Sequence, residues 1–393
     1  MPPSEVAHTL TRRGLVAAAI VFTALNLRTA VASVPPLLDE LRADVPLSTT
    51  AAGALTTLPV ICMATGAAVA PRVARRIGTE AAVAALVLTM VAGIVLRLVP
   101  GVVPLFAGTT VAGLGIALGN VLVPSLIKRD FPERQVGLMT GAYTMAISAS
   151  GAVAAALTVP AEDAIGHGWR PALAVWAIPA VAAAAVWIPQ MSRPTAEGRA
   201  VRLPSLWRDR LAWHVTAFMG LQSLLFYSCL SWLPAIMRAE GIDRGAAGAL
   251  LSVMLLTAIP TCLLMPVAAA RARDQRGAIA VSLALYGAGL AGLLAAPGSV
   301  PALWATLLGF AQGSLLALVF LLFGMRAPDQ EHAAQLSSMA QTVGYAVAAA
   351  GPLLLGALRD ATGGWTVPVA VLLAVLAPLL AAGMAAGRAR RVG

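Results

Sequence analysis

Apolar stretches of about 20 residues, the length a helix needs to cross the hydrocarbon core, recur almost end to end along the chain. They fall at 14–38, 48–70, 79–99, 102–127, 135–160, 168–189, 211–237, 245–270, 277–297, 300–325, 333–357 and 364–386. Each predicts a membrane-spanning helix, twelve in all. The longest polar interval, 190–210, carries Pro194, Pro204 and five arginines and divides the spans six and six. The pattern therefore predicts an all-α membrane protein with an N-terminal six-helix bundle over 1–190, a linker over 191–210 on the cytoplasmic side, and a C-terminal bundle over 211–393.

Composition agrees. With 59% hydrophobic and 11% charged residues and a mean hydropathy of +0.84, the chain is too apolar for a water-soluble core, and a lipid bilayer is its expected solvent. The net charge of +10 comes from short basic clusters between spans, not from one stripe, so nucleic acid is not an expected partner. Cytoplasmic loops carry an excess of Lys and Arg. Placing both termini in the cytoplasm puts 20 basic residues inside and 6 outside, with Arg28 left within the first span. Lys128 is the single lysine against 26 arginines, and the chain is rich in alanine, which points to a GC-rich bacterium and its inner membrane. Arg12-Arg13 before an apolar run imitates a twin-arginine signal, but the later spans make this segment the first helix.

A period of half the chain marks a duplication. Pro132 recurs as Pro328, Trp169 as Trp365 and Gly113 as Gly309, each offset by 196; Ala52–Leu55 recurs as Ala247–Leu250 with one residue of slippage. Two parallel six-helix repeats with a cavity between them follow. Cys62, Cys229 and Cys262 lie inside spans without ligand spacing, so no disulfide, metal or cofactor is expected. The glycines at 113, 115 and 119 follow no strand and read as close-packing residues, not a nucleotide loop. No nucleophile and base pair appears, so the chain is not expected to be an enzyme.

This ground plan resembles the major facilitator superfamily, and local strings narrow it. They are Leu25-Asn26-Leu27-Arg28 with Ser33-Val34-Pro35-Pro36, Pro124-Ser125-Leu126-Ile127-Lys128-Arg129, Gln222-Ser223, Phe226-Tyr227, Trp232-Leu233-Pro234-Ala235 and Gln341 with Gly344-Tyr345. Together they are similar to the cyanate porter and 2-nitroimidazole transporter family. The resemblance implies two pseudo-symmetric bundles, alternating access, no cofactor, a monomer, and a small planar polar or anionic solute; efflux of diverse drugs is the alternative within transport. A receptor or scaffold that binds without translocating is the alternative of another class. Two departures stand out: Thr29 follows the first-span arginine where proline is common, and Gly66–Gly78 lacks the acidic residue usual before that basic cluster.

Candidate binding residues are the polar groups within spans. Arg28 interrupts an apolar helix, where an ionised side chain costs about 2.5–3.5 kcal/mol on insertion scales, so it should face a cavity or a partner. Its guanidinium offers a planar fork of donors to an anion or nitro group. Asn26 lies two residues away, about 200° around a regular helix, and Thr23, Asn26, Thr29 and Ser33 share the opposite face. Either the helix is distorted there or one of Asn26 and Arg28 is structural. Gln222 matches Asn26 across the repeat, and the pseudo-twofold predicts two amides across one cavity. Tyr227, the i, i+4 pair Gln341 and Tyr345, Asn120 and Gln312 complete the candidates. No carboxylate falls mid-span; Asp39 and Glu40 lie at the end of the first span.

Overall fold

The computed structural model describes residues 3–166, 168–190 and 206–392. Residues 191–205, most of the expected linker, lie outside the described residues. Among those described, twelve helical segments are long and apolar enough to cross a membrane, from Gly14–Asp44 to Thr366–Ala386. The N-terminal half comprises α1 (Pro3–Ala24), α2 (Thr29–Ala32), α3 (Leu38–Asp44), α4 (Thr49–Ile77), α5 (Thr79–Leu96), α6 (Val102–Asp130), α7 (Glu133–Ile165), α8 (Trp169–Ala174) and α9 (Ala177–Trp187). The C-terminal half comprises α10 (Arg210–Ala239), α11 (Arg244–Ala270), α12 (Arg276–Ala295), α13 (Pro301–Arg326), α14 (Gln330–Thr362) and α15 (Thr366–Ala386).

The duplication read from the sequence is visible in the packing. Gly113 of α6 lets Pro59 and Cys62 of α4 come so near that an added Cβ would lie 2.9 Å from the Pro59 Cα. Its counterpart Gly309 of α13 lies against Met254 and Thr257 of α11, where the same Cβ would lie 2.3 Å from the Met254 carbonyl oxygen. The same helix pair thus crosses at a glycine in each half, as expected where membrane helices pack through small residues. The helices α7 and α14 each run 33 residues. Both end at a left-handed glycine, Gly166 (φ +68°) and Gly363 (φ +71°), a conformation glycine reaches without a Cβ penalty.

The first span departs from this regularity. It is helical to Ala24, passes through turns at Leu25–Arg28, resumes as α2, tightens to a 3-10 turn at Pro35–Leu37 and ends in α3. The backbone N–H groups of Asn26 and Leu27 donate to residues three back, Thr23 (3.0 Å) and Ala24 (3.2 Å). The Asn26 side chain takes over part of the lost ladder, with Nδ2 donating to the Phe22 carbonyl at 2.7 Å. Arg97, buried at the end of α5, donates from Nη1 to the Ala30 carbonyl at 3.1 Å and holds the restarted segment in place. Non-helical backbone at this depth is tolerated because such partners replace the missing bonds.

The two halves meet most closely at the face that carries the α3–α4 turn, called the distal face here; the chain ends lie at the terminal face. Arg238 contacts Asp39 (3.2 Å) and Glu40 (2.9 Å), and Arg244 contacts Glu40 (3.4 Å), Glu162 (2.6 Å) and Asp163. Asp360 of α14 caps α4 by accepting from the backbone N–H of Thr49 (3.1 Å) and Thr50 (2.7 Å). Deeper in, Ser252 donates to the Ala152 carbonyl (2.6 Å) and Thr57 to the Ala349 carbonyl (3.2 Å). A cleft of about 460 Å³ lies over this contact zone, walled in part by Trp232, Trp365, Arg42 and Arg359. Partly exposed ion pairs are worth about 0.2–1 kcal/mol each, but Arg244 serves three carboxylates at once. Arg244→Gln is expected to raise the population open at the distal face several-fold, read as a longer spin-label distance between α3 and α10.

A second network ties the terminal face. Arg326 is buried and donates from Nε to the Ala386 carbonyl (2.9 Å), and from Nη2 to the Gly387 carbonyl (3.0 Å) and the Gln275 side chain. It thereby satisfies the C-terminal carbonyls of α15, which have no partner within the helix. Arg326→Ala leaves the Ala386 carbonyl without this donor, while the Gly387 carbonyl keeps the Gln275 backbone N–H at 3.1 Å, and is expected to cost about 1–3 kcal/mol of stability, read as a lower denaturation midpoint with the distal face unchanged.

Candidate functional site

The break in the first span decides where its polar residues point. Thr23, Asn26, Thr29 and Ser33 are all buried and form the stripe expected from their spacing, but the stripe faces the interior of the N-terminal bundle. Thr23 accepts from Trp187 Nε1 of α9 at 2.7 Å. Asn26 donates to the Pro179 carbonyl of α9 at 3.1 Å, and its Oδ1 is buried without a partner. Arg28 leaves on the other side of the chain, toward the opposite half. Both readings of the Asn26–Arg28 pair therefore apply: the helix is distorted, and Asn26 is bonded into its own bundle.

Arg28 is half-buried, and its guanidinium carbon stands 4.8 Å from the centroid of the Phe226 ring of α10. Its stem runs over Gly151 of α7, where an added Cβ would lie 2.9 Å from both Arg28 Cγ and Cδ and 3.3 Å from Leu255 of α11. Among the described residues the guanidinium makes no hydrogen bond or ion pair; the contact with Phe226 is a cation–π one, worth about 0.5–2 kcal/mol. Tyr143 of α7, Tyr227 of α10, Tyr345 of α14 and Cys262 of α11 lie within reach of the Arg28 charge. Tyr227 packs edge-on against Phe226 (5.0 Å between ring centroids) and against Tyr345 (6.4 Å), and its hydroxyl lies 3.5 Å from Met63 Sδ of α4. Residues from α7, α10, α11 and α14 thus place aromatic rings, phenols and a thiol about one cation, with Met63 of α4 behind Tyr227, and among the described residues no carboxylate pairs with it.

The other candidates divide. Gln341 stands four residues before Tyr345 on α14, half-buried, with Nε2 donating to Ser337 Oγ at 2.8 Å. Gln222 is fully buried; it accepts from Gln312 Nε2 (2.9 Å) of α13 and donates to Ser223 Oγ (2.7 Å) and the Met219 carbonyl (3.2 Å). The expected pair of amides across one cavity is not formed, because Asn26 and Gln222 are each bonded within their own half. Asn120 of α6 is half-buried and makes no hydrogen bond among the described residues; it stands beside Gly119, where α6 meets Leu27. The structure thus groups Arg28, Tyr227 and Tyr345, and turns Asn26 and Gln222 away. Sequence reading missed Tyr143 and Phe226 near Arg28, and Met63 against the Tyr227 hydroxyl. The signal for Tyr143 was its rarity: the chain has four tyrosines, and three of them gather here.

Acidic side chains keep to the helix ends. Besides the distal pairs, Glu80 in the first turn of α5 is buried and paired with Arg129 of α6 at 2.6 Å. The stretch 66–78, which has no carboxylate of its own, forms the end of α4 and its Gly78 cap, and Glu80 just beyond it pairs with Arg129 of α6.

The sequence matches the family profile described as Major Facilitator Superfamily over residues 16–352. It is 39% identical to the 2-nitroimidazole transporter of Escherichia coli (strain K12) over 95% of this chain and 96% of that protein. It is 31% identical to the cyanate transport protein CynX of the same organism over 88% of this chain and 90% of that protein. The chain belongs to the major facilitator superfamily. A crystal structure of a D-xylose–proton symporter, 15% identical, superposes with a TM-score of 0.74 over 94% of this chain and 96% of the other. At that identity the likeness speaks for the fold, which is the major facilitator fold of twelve membrane-crossing helices. The protein is a membrane transporter of this superfamily.

Proposed function

We propose that the protein moves a small planar solute bearing an anionic or nitro group across the bacterial inner membrane by alternating access, with Arg28 as the principal contact. The observation that carries this reading is a guanidinium near the middle of a span, half-buried between the halves, that no acceptor among the described residues engages. Leaving such a charge unpaired is costly, and a bound solute with two coplanar oxygens or a linear anion offers it the acceptor it lacks. Phe226, Tyr227, Tyr143 and Tyr345 supply flat apolar walls with polar rims suited to a planar solute, and Gln341 stands ready to bond a second edge. The 2-nitroimidazole and cyanate transporters among the relatives carry solutes of this description.

In this reading the termini are cytoplasmic and the distal face is external. The ion pairs of Arg238 and Arg244 then hold the external side shut, and the cleft above them receives the solute when it opens. The mostly apolar, aromatic lining also favours a second reading, efflux of nitroaromatic or related drugs. Reconstitution into sealed vesicles preloaded with the unlabelled solute tests both: uptake of labelled cyanate or 2-nitroimidazole above protein-free vesicles is the expected result. Extrusion of larger, unrelated drugs with no movement of these two would favour the second reading, and no accumulation of any solute would refute transport through this site.

A further inference from the structure

The cluster around Arg28 holds one cation and no anion. Among the described residues, Asp39, Glu40, Glu162 and Asp163 are engaged by Arg238 and Arg244 at the distal face, Glu80 by Arg129, and Asp360 by the start of α4. The side chains gathered at Arg28 are the Phe226 ring beneath its guanidinium and, packed edge-on beyond it, the phenols of Tyr227 and Tyr345. These side chains are neutral at neutral pH in their ordinary state, so the empty site carries a net positive charge.

Alternating access passes through a state closed on both faces. Closing over the bare guanidinium strips water from an ion that has no counter-ion, a penalty that attraction to a ring face offsets only in part. Closing over a bound anion instead buries a neutral pair joined by charge-assisted hydrogen bonds. The loaded carrier therefore crosses the closed state readily, and the empty carrier crosses it slowly. A neutral solute of the same shape leaves the charge uncompensated and gives no such relief.

From this we infer that the protein is an anion exchanger, trading one planar monovalent anion bound at Arg28 on one face for another on the opposite face. The inference rests on the proposed transport through this site and adds the charge of the solute and the mode of movement. Exchange moves one negative charge in each direction and is electroneutral, whereas net uptake carries the charge of the anion across the membrane.

The test uses the purified full-length protein in sealed vesicles near neutral pH, with radiolabelled cyanate or benzoate outside and uptake corrected for protein-free vesicles. The interior holds the same unlabelled anion, the neutral amide benzamide, or buffer alone. Initial uptake is expected to be at least about tenfold faster into anion-loaded vesicles, with benzamide giving the buffer rate and the exchange rate unchanged by a valinomycin potential of either sign. In Arg28→Gln protein, whose site is neutral, the ratio of loaded to empty rates is expected to fall toward one. Equal rates into anion-loaded and buffer-loaded vesicles, with uptake present, would overturn the exchange inference and leave transport standing. Uptake absent under every interior condition would overturn both.

Discussion

Arg28→Ala protein is expected to bind the transported solute about 100-fold more weakly than the unaltered protein while retaining its fold. Truncating one member of a buried, hydrogen-bonded charge pair costs about 2–5 kcal/mol, and a loss near 100-fold lies within that range. The fold should survive because Arg28 makes no hydrogen bond or ion pair among the described residues, and its stem merely covers Gly151 and Leu255. Arg28→Lys retains the charge but loses the planar fork, so an affinity loss of about tenfold is expected. Scintillation proximity binding on purified protein measures both, with the thermal midpoint as the control for folding. Unchanged affinity in Arg28→Ala would remove Arg28 from the site and leave the architecture intact.

Gly53→Leu is expected to lower transport by more than about tenfold while solute binding from the distal face persists. An added Cβ at Gly53 would lie 2.6 Å from the Pro352 carbonyl oxygen of α14 and 3.2 Å from Trp232. The obstacle on the α14 side is backbone, which cannot turn aside as a long side chain would. Gly356 lies in the same seam, where an added Cβ would be 2.7 Å from the Thr49 carbonyl oxygen, so the contact runs along both helices. Leucine is a better helix former than glycine by about 0.8–1 kcal/mol, so α4 itself is not weakened. The closed distal face is what becomes inaccessible. Spin labels on α4 and α14 near this face should report a longer distance, and normal transport in Gly53→Leu would show that the seam does not need to close.

The sequence revealed the architecture because hydropathy, loop charge and an internal repeat are independent consequences of one design. Twelve spans and their pairing into halves could be read from apolar length, arginine placement and the 196-residue offset, and the Gly113 and Gly309 crossings are where that offset becomes packing. The break at Leu25–Arg28 was legible only as one of two alternatives, drawn from the opposed faces of Asn26 and Arg28. No proline or glycine marks it; the Asn26 side chain, bonded to Phe22 and Pro179, shifts the ladder instead. The polar stripe Thr23–Asn26–Thr29–Ser33 was legible as a stripe, but its direction was not, since hydroxyls and amides are equally well satisfied by a cavity or by a neighbouring helix. Trp187 and Pro179 of α9 decide that question in three dimensions.

The amides show the same limit. Gln222 and Gln312 were both read as lining groups, and they bond to one another inside the C-terminal bundle. Interhelical bonds of this kind contribute about 0.6–2 kcal/mol in membrane hosts, enough to order a bundle without any solute. Arg28 was the more informative residue because a charge in hydrocarbon is harder to explain away than an amide. Its surroundings came from helices far apart in sequence: Tyr143 on α7, Phe226 and Tyr227 on α10, and Tyr345 on α14. A spacing rule within one helix cannot assemble such a set.

The position of the bound solute tests the central claim most directly. In a structure of the protein with cyanate or 2-nitroimidazole bound, the acceptor atoms are expected within about 3 Å of the Arg28 guanidinium nitrogens, with the solute lying against Phe226 and Tyr227 between the halves. Solute found elsewhere, with the Arg28 guanidinium bonded to protein groups instead, would contradict the account.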